Sequence, residues 1–134
     1  MVTEFFAGMI PPTITHQQKK IAIVCGKPRL YEPDALKAAR AGLMAHLGRY
    51  APETPYTGGV RLVVKWLFPA TAKRLAGTYR ITKPDTDNLQ KMLKDVLTDL
   101  RFWTDDALVC SETAEKFWND IPGIYIRISD IEER

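Results

Sequence analysis

At 134 residues, with 46% apolar side chains spread along its length, the chain has the material for one domain with a buried core, since domains commonly run to about 100–150 residues. No stretch approaches the roughly 18 apolar residues of a membrane span, and the opening MVTEFFAGMIPPT lacks the basic and apolar regions of a signal peptide. Cys25 and Cys110 stand far apart without a CxxC or a matching histidine pair, so they read as buried thiols of a reduced, cytoplasmic protein. The net charge of +3 conceals an asymmetry: residues 1–84 carry 13 Lys+Arg against 4 Asp+Glu, and residues 85–134 carry 6 against 12. A phosphate-binding surface beside a cation-binding carboxylate cluster would need that arrangement.

In chain order, residues 19–24 and 29–31 flank Cys25-Gly26-Lys27-Pro28 and predict a short hairpin with a basic turn. Glu32-Pro33-Asp34 opens a helix to about Tyr50, with Leu36, Ala39, Leu43, Met44 and Leu47 on one apolar face. Residues 52–59, with two prolines and two glycines, are a loop. Residues 60–68 alternate, Leu62, Val64, Trp66 and Phe68 on one side and Arg61 and Lys65 on the other, as in a half-buried strand ended by Pro69. Residues 70–83 carry Lys73, Arg74, Arg80 and Lys83 around Gly77 and Tyr79, and Pro84 keeps Lys83 extended. Then Leu89, Met92, Leu93, Val96, Leu97 and Leu100 mark an amphipathic helix. Residues 107–117 and 123–129 are expected as two strands of a terminal hairpin. The whole predicts a single α+β domain, a mixed sheet with helices packed on one face.

The chemistry lies in Lys83-Pro84-Asp85-Thr86-Asp87-Asn88-Leu89-Gln90-Lys91 and the later Asp105-Asp106. At about 100° per residue, Lys91 and Asp95 fall opposite the apolar stripe, with Asp87 near them at the first turn. Helix chemistry alone would explain part of this, with Asp85 as N-cap, Asp87 at the positive helix end, and Asp87, Lys91 and Asp95 as an i, i+4 ladder. It leaves Asp105-Asp106, placed just before a strand and after Phe102-Trp103, without a reason.

Chain geometry lets the two parts meet. A helix ending near Leu97 extends about 15 Å from Asp87, while the steps from Leu97 to Asp106 can reach back about 30 Å. With an end at Leu100 both lengths become about 20 Å, and the return must be nearly straight. Asp85, Asp87 and Asp106 together suit Mg²⁺, or Mn²⁺, with waters and phosphate oxygens completing the shell. Asn88, Asp95 and Asp105 are assigned to the surroundings of that set. Leu89 and Gln90 exclude an EF-hand loop. A phosphatase-type nucleophilic aspartate fits less well, because no phosphate-cradling glycine loop accompanies it. His16 and His46 lie far from the acidic motifs in sequence.

The ordered blocks KPDTDNLQKMLKDVL and FWTDD closely resemble the RusA family of Holliday-junction resolvases, whose members carry [KR]PDxDNLxKxxxDxL and then xDDxQV. Residues 13–68, with KKIAIVCGKPRLYEP, look like its phage-type members. The resemblance implies metal-binding catalytic carboxylates at Asp85, Asp87 and Asp106, a catalytic lysine at Lys91, and a homodimer. Two positions depart from the pattern: Leu108 replaces a glutamine, and the usual glycine at the helix end is absent, with Asp99 nearby.

The expectation is therefore a magnesium-dependent endonuclease that resolves four-way DNA junctions by paired symmetric nicks. Lys73, Arg74, Arg80 and Lys83 would place one strand, and Lys19, Lys20, Lys27 and Arg29 another arm. Two rivals are a catalytically silent DNA-structure-binding module and a magnesium-dependent phosphohydrolase of small molecules. No membrane partner is expected.

Overall fold

The computed structural model describes residues 1–15, 20–24, 27–31 and 34–131. In chain order its elements are β1 (Val2–Ala7), β2 (Lys20–Val24), β3 (Lys27–Tyr31), α1 (Asp34–Leu47), β4 (Val60–Pro69), α2 (Thr86–Asp99), β5 (Val109–Asn119) and β6 (Gly123–Asp130). Single 3-10 turns occupy Gly48–Tyr50 and Asp106–Leu108. Four strands form a mixed sheet in the order β1-β6-β4-β5, in which only the β4–β5 pair is parallel. β2 and β3 pair antiparallel from Lys20↔Tyr31 to Val24↔Lys27, the hairpin expected there, with Lys27 and Pro28 already in the strand. Lys19 lies outside the described residues, and Lys20, Lys27 and Arg29 are placed only by their strand positions.

The core follows from two periodicities. Along β4, Leu62, Val64, Trp66 and Phe68 are buried while Arg61 and Lys65 are exposed. Across the ladder the first three meet Ile128, Ile126 and Ile124 of β6, which are equally buried. Over this face close Leu89, Met92, Leu93, Val96 and Leu97 of α2 and Leu36, Leu43 and Leu47 of α1, forming one apolar cluster. The class is α+β, with the helices on one face. Fully burying such side chains is worth about 1.5–3 kcal/mol each, so this layer dominates the stability of the described fold. α1 ends at Leu47 and continues only as a 3-10 turn, and Met44 stays 36% exposed instead of joining the core face.

Three features depart from the sequence-based expectation. β5 and β6 are not hairpin neighbours, because β4 lies between them and hydrogen-bonds to both. The link from Asn119 to Gly123 can span about 14 Å, enough for two strand spacings of roughly 5 Å, and it crosses the end of β4 where the Ala70 amide donates to the Asn119 carbonyl at 2.9 Å. The arrangement gives the inner position to the strand whose core-facing residues are all apolar, and leaves the more polar β5 at an edge. Second, Cys110 is exposed. It is the residue skipped where the β4–β5 register shifts from Val60↔Val109 to Arg61↔Ser111, on an edge strand that buries none of its residues. Third, β1 had no counterpart in the sequence reading. Its Phe5 stacks on Tyr50 at 4.3 Å, while Phe6 on the opposite face packs over Gly123, where a side-chain carbon would strike that ring and approach the Ala7 carbonyl at 2.8 Å.

α2 stops by a backbone device. The Phe102 amide donates to the Leu97 carbonyl and the Arg101 amide to the Thr98 carbonyl, both at 3.0 Å, with Arg101 at φ 65°. This is the paired C-terminal bonding pattern usually completed by glycine. The left-handed residue is thus Arg101 rather than Asp99, which remains helical. The reversed chain then runs back with Phe102 and Trp103 fully buried, held to Tyr56 by two backbone bonds of 2.9 and 3.1 Å.

Candidate active site

β4 and β5 present their side chains in matched register, so the partners of Leu62, Val64, Trp66 and Phe68 on the helix-bearing face are Glu112, Ala114, Lys116 and Trp118. α2 covers the β4 side of this face, and its outward edge faces β5 across an open cleft of about 450 Å³. Asp87, Lys91 and Asp95 line the cleft from α2, Asp106 from the turn before β5, and Glu112 from β5 itself. The buried return leg through Phe102 and Trp103 therefore brings Asp106 back beside the helix face that carries Asp87. From Arg101, the five steps to Asp106 can reach at most about 17 Å, close to the roughly 18 Å of helix between Asp87 and Asp99.

The two adjacent acids of the second motif divide their work. Asp105 turns its carboxylate onto the backbone, accepting from the Ala107 amide at 2.8 Å and so opening the 3-10 turn, which leaves Asp106 to the cleft. Asp85 occupies the N-cap position of α2 with extended dihedrals, but its side chain makes no capping bond. Asp87 accepts from the neighbouring Asn88 amide at 2.9 Å. Lys91 forms no ion pair among the described residues, so the i, i+4 ladder through it is not realised. Asp85 does not line the cleft. His46 lies on α1, its ring nitrogen 2.8 Å from the Gly42 carbonyl.

A polar chain, buried at its Trp66 and Gln90 end, backs the cleft. The Trp66 indole donates to Gln90 Oε1 at 2.7 Å, and Gln90 Nε2 donates to Glu112 Oε2 at 2.7 Å. Lys94 closes it with a 3.0 Å ion pair to Glu112 Oε1. Gln90 is only 4% exposed. The indole can only donate, which fixes the orientation of the amide and aims its NH₂ at the carboxylate. Gln90, Lys94 and Glu112 were missed in the sequence reading. The one available signal was Gln90 itself, a polar residue inside the apolar stripe between Leu89 and Leu93.

The basic segment 70–83 lies along the free edge of β5. Gly77 and Arg80 donate to the Trp118 and Lys116 carbonyls at 2.7 and 2.9 Å, and the Trp118 amide donates to Thr78 at 2.9 Å. Lys73, Arg74 and Lys83 are exposed. The Arg80 guanidinium instead lies 4.3 Å from the Phe68 ring centre and 4.6 Å from that of Trp118, and donates to the Lys83 carbonyl. Burial, then the Arg74 charge, lowers its pKa. Lys116 donates to the Thr82 and Pro84 carbonyls, both at 2.7 Å, anchoring the segment that leads into Asp85. Burial and the nearby Arg80 charge lower the Lys116 pKa, against an opposing pull from Asp85.

Among the described residues, no three His, Cys, Asp or Glu side chains stand close enough together to hold an ion. The cleft nonetheless offers carboxylate oxygens with no soft ligand, the chemistry of a hard-cation site. No described helix is long and apolar enough to cross a membrane.

The profile of the family described as "Endodeoxyribonuclease RusA" matches residues 10–129. The chain is 30% identical over 130 residues to the "Crossover junction endodeoxyribonuclease rusA" of Lactococcus phage r1t, covering 96% of each chain. It is also 29% identical over 117 residues to "Uncharacterized protein YqaN" of Bacillus subtilis (strain 168), covering 79% of this chain and 82% of that one.

Proposed function

The chain belongs to the RusA family of endodeoxyribonucleases, and from that premise we propose that it resolves four-way DNA junctions by metal-dependent hydrolysis in the cleft between α2 and β5. The observation that carries the reading is the convergence of Asp87, Lys91 and Asp106, from two sequence blocks, on one open cavity. Asp87 and Asp106, with Asp85 at the preceding helix cap, would hold Mg²⁺ or Mn²⁺. When bound, the ion supplies Lewis acidity toward a water and a phosphate oxygen.

Lys91 supports transition-state stabilisation. Its ammonium is compact, faces the cleft, and is not committed to a neighbouring carboxylate, so it can meet the charge that grows on the phosphate. Glu112, held by Gln90 and Lys94, keeps a negative wall on the opposite side. Lys73, Arg74 and Lys83 would position the DNA backbone beside the cleft. Arg80, committed to its aromatic neighbours, is better suited to shaping the segment. Two symmetric nicks call for two matching sites, which a twofold homodimer supplies. The proposed setting is cytoplasmic.

A DNA-structure-binding module without catalysis is the second reading, favoured by the absence of a gathered triad. One experiment separates them. A labelled four-way junction incubated with the protein and Mg²⁺ should be nicked symmetrically, with linear duplex spared and EDTA abolishing the reaction. Tight junction binding without nicking at any Mg²⁺ or Mn²⁺ concentration would leave only the binding module.

A further inference from the structure

Large apolar side chains rarely stand in water next to one another without a use, yet the segment beside β5 exposes three: Leu75 is 66%, Tyr79 60% and Ile81 87% exposed. They border a cavity of about 240 Å³ that Lys73, Arg74 and Trp118 also line. This cavity is distinct from the catalytic cleft, sharing no residue with it.

The aromatic wall is fixed in advance. Tyr79 stacks on Phe117 at 4.6 Å with 23° between the rings, and its hydroxyl donates to Glu115 at 2.8 Å. One ring face is thus backed and the side chain tethered, while the residue stays mostly exposed. Two cations, Lys73 and Arg74, stand at the same cavity, and the Arg74 guanidinium lies 5.7 Å from the Trp118 ring centre. An aromatic wall with aliphatic neighbours, beside exposed positive charge, complements one chemical unit, an aromatic base attached to a phosphate. An apolar peptide would use the walls and leave the cations without partners.

We propose that this cavity receives an unstacked nucleobase of the bound DNA, with Lys73 and Arg74 on its phosphates. The inference rests on the nuclease reading for the presence of DNA. A base within intact duplex is stacked on both faces and cannot enter, so the cavity takes bases released where strands part, as at a branch point. Stacking on a pre-set ring loses little side-chain freedom and is indifferent to base identity.

The test separates stacking from charge. Full-length protein in EDTA is titrated with an oligothymidylate and with an abasic oligonucleotide of equal length, which carries the same phosphates without bases. The wild type should bind the first at least about fivefold more tightly, the lower end of what one stacked base provides. Tyr79→Phe should keep that preference and Tyr79→Ala should erase it. Ile81→Ser, at a position too exposed to disturb folding, should reduce it. Equal affinities in the wild type, or an undiminished preference in both Tyr79→Ala and Ile81→Ser, would overturn the proposal. Junction nicking with Mg²⁺ by a protein that makes no such distinction would sink the base pocket alone. Base preference in a protein that never nicks would support the pocket while refuting the nuclease.

Discussion

β4 and β5 are parallel neighbours in register, and four residues of each point to the same face of the same sheet. On β4 they are Leu62, Val64, Trp66 and Phe68, all buried; on β5 they are Glu112, Ala114, Lys116 and Trp118, none of them fully buried. The difference is the helix layer above. α2 is wide enough to seal β4 and ends its cover there, so one strand spacing separates core from solvent-facing chemistry. Sequence pattern follows cover: an unbroken apolar alternation where a helix lies above, and a mixed one, interrupted by Glu112 and Lys116, where none does. The cleft lies at the margin of the core.

Breaking the cleft that opens between α2 and β5 should change rate and spare stability. Asp87→Asn, Asp106→Asn and Lys91→Ala should each lower single-turnover junction cleavage by about a hundredfold or more. Because all three positions are exposed, thermal melting should shift stability by no more than about 0.5 kcal/mol. Cleavage surviving in the two aspartate variants would return those acids to helix chemistry. Breaking the β4 side should do the reverse. Leu62→Ala leaves a cavity under α2 and should cost about 2–5 kcal/mol in denaturant unfolding, with residual folded protein still binding junctions.

Gln90 joins the two sides and sharpens the contrast. Gln90→Leu strands the buried Trp66 indole and removes a donor from Glu112, so it should cost about 1–3 kcal/mol and slow cleavage as well. Gln90→Glu would keep an acceptor for the indole but set two carboxylates together, raising their folded-state pKa values. Its stability deficit should therefore shrink as the pH falls through that raised range and be smallest near the ordinary carboxylate value of about 4. A deficit independent of pH would show that the amide's second bond does not matter.

Smaller effects test the frame. Arg101→Gly should stabilise by about 0.5–1 kcal/mol, since glycine adopts that positive φ without a steric penalty. Tyr56, whose hydroxyl bonds the Ile128 carbonyl at 3.2 Å, has a pKa raised from 10.0, chiefly by burial. A raised acid pKa means its contribution is whole below pH 10.0 and is lost as the pH climbs through the folded-state value. Alkaline unfolding should accordingly be less steep in Tyr56→Phe than in the wild type.

The legibility of the sequence was uneven for physical reasons. α2 was plain because six apolar residues at helical spacing admit one face, and the same wheel put Asp87 and Lys91 on the other. The neighbour order of β5 and β6 was hidden, since a period of two says which face a residue takes but never which strand lies beside it. Cys110 was misjudged because the usual burial of free thiols says nothing about a residue on an edge strand. β1 was overlooked because Phe6 sits on the outer face, masking the alternation of Phe5 and Ala7. At the site, Asp87, Lys91 and Asp106 could be named because their blocks carry a pattern; Glu112 could not, since its importance arises from pairing with Gln90 and Lys94 across elements. Arg80 looked like another surface cation, and only the fold sets it against Phe68 and Trp118.

The strand order also bears on the chain as it is made. β1 pairs with β6 alone, and β4 with β5 and β6, so within the four-stranded sheet every ladder waits for a strand synthesised later. Until residues beyond Val109 leave the ribosome, the only described strand pair that can form is the local β2–β3 hairpin. β1 and β4 meanwhile carry unpaired edges, and such distant pairings are slow to close. β4, whose core face is wholly apolar, thus waits unpaired while the forty residues from Pro69 to Val109 are made.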